Sequence, residues 1–109
     1  MIRIRFNIDQ DGEIVGFNAK DHGDKIVCAA VSALAINAIN SIEWLANTDC
    51  SYEYENERYI DFRVNDEPDA KTRLLLESLR LGIHSIANEH PGEVAVEQIS
   101  VLVEWKRGV

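Results

Sequence analysis

His22 and Cys28 stand six positions apart, and together they have the makings of nucleophilic chemistry. A thiolate is favoured where a helix begins, because the unpaired N–H groups of the first turn and the positive end of the helix dipole face it. Cys28 falls in such a first turn if Asp24 caps the helix, aspartate being a preferred N-cap residue. An imidazole folded over from the preceding loop would take the thiol proton and later hand it to a leaving amine. Backbone N–H groups at the same helix start, with Gly23 and Asp24 in support, would meet the developing oxyanion. Ser32 lies one turn beyond Cys28 on the same face, where a helical serine usually bonds back to its own backbone. Spacing alone leaves a plainer reading open, since buried cysteines commonly act as small hydrophobes and loop histidines are commonly solvated.

The remaining candidates read as structural. Cys50 follows a helix end and suits a packed free thiol, and His84 suits a solvated or core-edge position. His90 precedes Pro91 and marks helix termination. Tyr52, Tyr54 and Tyr59 are interleaved with Glu53, Glu55 and Glu57, which fits sheet residues better than a platform for stacking bases. No zinc-type spacing, phosphate loop or dinucleotide fingerprint is present, so neither a metal nor a cofactor is expected.

The elements that must position His22 and Cys28 follow from periodicity. Ile2, Ile4, Phe6 and Ile8 alternate with Arg3, Arg5 and Asn7 as in a half-buried strand, and Asp11-Gly12 turns the chain into a second strand over Glu13–Ala19. A polar loop through Gly23 leads to a helix over Lys25–Ala46 that is apolar on more than one side, a central or interface helix. Tyr52 and Tyr54, then Ile60, Phe62 and Val64, alternate as a second hairpin. Pro68 and Asp69 open a helix over Ala70–Asn88. The last strand changes parity between Val96 and Ile99, which predicts a bulge or break near Gln98. The order ββαββαβ predicts an α+β fold in two layers, with two helices on a mostly antiparallel sheet, as a single domain over residues 1–109.

The run DKIVCAAVSALAINAINSIEWL, Asp24–Leu45, preceded by GFNAKDH, Gly16–His22, resembles the ribosomal-processing cysteine protease family Prp, also called YsxB-like. CAAVSAL, Cys28–Leu34, matches the family's first-helix element without a gap, and LLLESLRLGIHSIANEHP, Leu74–Pro91, is similar to its second helix. The resemblance extends to about Gln98. It implies a cysteine endopeptidase that trims the N-terminal extension of a large-subunit ribosomal protein, with Cys28 as nucleophile, His22 as general base and a homodimeric assembly. The chain departs from the family in three places. Asp21-His22-Gly23 stands for Gly-His-Ala, Lys25 replaces an aspartate, and only Gly23–Val27 separate the histidine from the cysteine where the family has a longer glycine-rich loop. These departures sustain an alternative reading, a catalytically silent dimeric module of the same fold that binds a ribosomal or other basic protein.

Composition narrows the partners. Among 109 residues, 46% are hydrophobic and 28% charged, close to ordinary globular usage, so a core is expected and disorder is not. Eleven basic against nineteen acidic residues give a net charge of -8, which disfavours direct nucleic-acid binding and suits a basic peptide or ribosomal-protein substrate. The longest apolar run, Ile26–Ile36, is broken at Ser32 and falls short of a membrane span, so no membrane partner is expected. Met1–Arg5 alternates apolar and basic residues without the continuous core of a secretory signal, and a cytoplasmic location is expected.

Overall fold

In the computed structural model, which describes residues 1–21, 23–55 and 59–105, the alternating segments pair into one sheet. The strands are β1 (Ile2–Ile8), β2 (Ile14–Lys20), β3 (Cys50–Glu55), β4 (Tyr59–Val64) and β5 (Val94–Ser100), and the helices are α1 (Lys25–Trp44) and α2 (Ala70–Glu89). The sheet runs β3-β4-β2-β1-β5. Only the β1–β5 pair is parallel, so the fold is the expected α+β arrangement of order ββαββαβ on a mostly antiparallel sheet. β3 and β5 form its two edges.

Register explains why the core sits where it does. Phe6 pairs with Phe17, Phe17 with Phe62, and Phe62 with Tyr52, giving one row of aromatic residues across four strands on the face that the helices cover. The Phe17 and Phe62 rings stack with centroids 5.3 Å apart. The neighbouring row is Ile4, Ala19, Ile60 and Tyr54. The opposite face carries Arg3, Arg5, Asp61 and Glu97, as period two requires. Gly16 lies on this face, and a Cβ there would stand 2.6 Å from the Phe62 carbonyl oxygen, so the β2–β4 approach leaves room for no side chain.

The helices cover the apolar face unevenly. α1 buries Val27, Val31, Ala35, Ala38, Ile39 and Ile42 along one stripe, and α2 buries Thr72, Leu76, Leu79 and Ile83. At Gly82 on α2 an added Cβ would come 2.8 Å from Leu34 Cδ1, which marks close helix-to-helix contact. Contrary to the expectation from its apolar run, α1 is long and apolar enough to cross a membrane by length and composition alone. Its buried stripe packs into the hydrophobic core beneath the sheet-facing side of the helix. Neither helix covers the β3 edge fully, and Tyr52 and Tyr54 are each 49% exposed although they face the helix layer.

The last strand differs from expectation. β5 pairs with β1 in unbroken register from Ile2–Val94 to Ile8–Ser100, and no bulge occurs near Gln98. The parity change is a change of face: Val94 and Val96 join the core side, whereas Ile99 shares the outer face with Glu97. Beyond β5 the chain stays attached. The Val101 N–H donates to the Ile8 carbonyl at 2.8 Å, and the Gln10 side chain bonds Val103 twice, donating to its carbonyl and accepting from its N–H. Val101, Val103 and Trp105 pack against the core.

Candidate active site

Asp24 caps α1 through one carboxylate oxygen, which accepts from the N–H groups of Ile26 at 2.9 Å and Val27 at 3.2 Å. Cys28 follows in the first turn, its own N–H donating to the Asp24 carbonyl at 2.9 Å. The half-buried thiol points back towards the loop, with Sγ 3.9 Å from the Gly23 carbonyl oxygen. It opens on a small cleft between the helix start and the end of β2, lined by Ala19, Lys20, Asp21, Ser32 and Ile60.

The loop before α1 is tied down on both sides. Asp21 has a left-handed backbone, φ 73°, and its carboxylate lies 3.4 Å from Arg3 Nε on the adjacent strand. Arg3 also reaches Glu97, which pairs with Arg5 as well. On the far side, the Asp24 N–H donates to a Glu93 carboxylate oxygen at 3.4 Å, and the Glu93 carbonyl accepts from Ile2 N at 3.0 Å. His22 itself lies outside the described residues, while its neighbours Asp21 and Gly23 are placed at the cleft.

Two details depart from expectation. The helix start does not offer all its donors to an oxyanion, because Asp24 already holds two of them; among the described residues, Lys25 N–H is the helix-start donor left out of the cap. Ser32 lines the cleft beside Cys28, and its hydroxyl makes no back-bond to the helix among the described residues. Its four-residue spacing from Cys28 was the available signal, outweighed by the general habit of helical serines.

The other thiol is different in kind. Cys50 begins β3, packs against the core and is raised above its ordinary thiol range by burial, then by the nearby carboxylates of Glu43 and Asp49. Both cysteines are free. His84 is exposed on α2, and His90 is its C-cap residue, donating its N–H to the Ile86 carbonyl. Among the described residues no group of three or more His, Cys, Asp or Glu could hold a metal ion.

The Cys28 thiol is half-buried, sits in the first turn of a helix and opens on a cleft, a position compatible with nucleophilic chemistry. The family described as cysteine protease Prp matches residues 1–95, and the chain belongs to it. The chain is similar in structure to SMU.848 from Streptococcus mutans, at 28% identity and a TM-score of 0.81, with 93% of this chain and 96% of that one covered. It is also similar to an essential ribosomal processing protease Prp from Staphylococcus aureus in complex with a substrate peptide, at 20% identity and a TM-score of 0.84, covering 91% and 100% of the two chains. The same protease with a covalently linked product peptide aligns with a TM-score of 0.85 at 20% identity, again covering 91% and 100%. No curated protein matches the chain at a significant level.

Proposed function

We propose that this chain is a cytoplasmic cysteine endopeptidase that removes an N-terminal extension from a large-subunit ribosomal protein, with Cys28 as nucleophile and His22 as general base. The observation that carries the proposal is the Cys28 thiol in the first turn of α1, directed at the loop that supplies His22 and open to a cleft. Family membership supports the class of reaction, and the ribosomal processing protease from S. aureus, held with a substrate peptide, supports a polypeptide substrate.

In the first step His22 takes the Cys28 proton and sulfur attacks the scissile carbonyl carbon. The proton passes to the amine as the C–N bond breaks, leaving a thioester. Water, deprotonated by the same imidazole, then attacks the thioester and restores the thiol. The oxyanion draws on the Lys25 N–H, the helix-start donor that the Asp24 cap leaves out. The -8 net charge favours the encounter with a basic substrate.

Thiol alkylation tests this reading. Because Cys50 is pushed up, it stays protonated at neutral pH and gains reactivity only as the pH rises through its raised value. Iodoacetamide near pH 7 is therefore expected to label Cys28 well ahead of Cys50, and His22→Ala to slow the labelling of Cys28. Equally slow labelling of both thiols counts heavily against a catalytic Cys28.

A homodimer belongs to the same proposal. Ile26 at the start of α1, Trp44 at its end and the C-cap Leu45, at 77%, 75% and 75% exposed, are apolar side chains left uncovered, and Ala29, Ala33, Asn37 and Asn40 complete the exposed face between them, a surface of small and apolar residues suited to a second copy of the helix. Sedimentation at micromolar concentration is expected to give twice the chain mass, and a monomer throughout would remove the dimer.

A further inference from the structure

Two concave surfaces in this molecule are linked by one cross-strand row, Ala19–Ile60–Tyr54. The cleft at Cys28 is floored by Ala19 and Ile60. The next residue in that cross-strand row is Tyr54, paired with Ile60. Tyr54, with Tyr52, Ile36, Ile39 and Asn40, lines an open groove of about 240 Å³ between α1 and the β3 edge. Along α1, Cys28, Ser32, Ile36 and Asn40 follow at four-residue spacing and so lie on one flank of the helix.

The geometry points to this groove as a specificity subsite for the polypeptide that Cys28 cleaves, holding an apolar or aromatic side chain four or five residues from the scissile bond. The inference rests on the peptidase reading above and deepens it. Ile36 is two turns beyond Cys28, about 12 Å along the helix, and Asn40 about 18 Å. An extended chain covers that interval in about four to five residues.

Three features favour a substrate strand as the occupant. The groove lies next to the candidate catalytic cleft, Ile36 following Ser32 one turn on and Tyr54 pairing with Ile60. β3 is an edge strand, so its outer backbone groups are available to pair with an added strand. Glu53 and Glu55 lie on that strand beside the tyrosines, complementary to basic residues flanking an apolar anchor.

A peptide library prepared from a bacterial proteome, digested and read by mass spectrometry, tests the assignment, with Cys28→Ala as the blank. In the wild-type digest, apolar and aromatic residues are expected to be enriched at the fourth or fifth residue from the cut, favoured over glycine roughly tenfold. That preference is expected to collapse both in Ile36→Trp, which fills the groove, and in Tyr52→Ser/Tyr54→Ser, which strips its wall. The two variants act in opposite steric senses, so a folding defect in one, seen in its melting curve, leaves the other as the test. Cys28-dependent cuts without this enrichment, or with an enrichment that both variants keep, overturn the subsite and leave the peptidase reading standing. A digest with no Cys28-dependent cut overturns both. Conversion of a dimer to monomers by both variants would assign the groove to the subunit interface and likewise overturn it.

Discussion

Replacing Cys28 with serine is expected to lower peptide cleavage roughly 10⁴-fold, since nucleophile and base act as a unit and little catalysis survives the loss of either. The substitution is nearly isosteric at a half-buried position, so the thermal midpoint should stay close to that of the unaltered protein. His22→Ala is expected to fall to a similar rate, and the double variant no further, because removing the second member of a pair that works only together costs little more. A discontinuous assay on the ribosomal-protein precursor, read by mass, checks all three. Should the unaltered protein cleave nothing and Cys28→Ser leave partner binding and cellular function intact, the silent binding module would be the better account.

Phe62→Ala is expected to cost about 3–5 kcal/mol of folding stability, the range for truncating a fully buried aromatic residue. Phe62 is 0% exposed, stacks on Phe17 and sits at the crossing of β2, β4 and β3. Domains of this kind hold only about 5–15 kcal/mol in total, so the variant should unfold at much lower urea. The loss reaches the site through β4, whose Ile60, two residues away, floors the Cys28 cleft. Chemical denaturation of both proteins measures the difference. A change below about 1 kcal/mol, the scale of an ordinary surface effect, would mean that the aromatic row does not hold the sheet to the helices.

How much of this was legible in the sequence depended on whether a local rule decided the outcome. Ile2, Ile4 and Phe6 alternate cleanly against arginines, and strand β1 follows, since one face of the sheet is dry and the other wet. Asp24 was readable as a cap because side-chain capping is a contact between neighbours in sequence. The run from Val94 to Ile99 misled, because a change of parity in a strand can mean either a bulge or apolar residues on both faces. Only the unbroken pairing of β5 with β1 decides between them. At the candidate site, Cys28 and its helix start were legible, as was the motif CAAVSAL. The roles of Tyr52 and Tyr54 were not. Their period fits any strand, and what sets them apart is that β3 lies at an edge which α1 covers only in part, a property of the whole topology. The cost of that cap was legible too: a good cap and a good oxyanion site compete for the same N–H groups, here those of Ile26 and Val27.

The unpartnered margin of β3 also bears on colloidal behaviour. Open strand edges recruit their own kind, and stacking of like chains through them is the usual route to fibrous aggregates. Glu53 and Glu55 place negative charge along that margin in a molecule already at -8, so two such margins repel one another on approach. Dissolved salt damps that repulsion beyond about 8–10 Å at physiological strength, which makes concentrated brine the medium in which the protein is least protected from clumping.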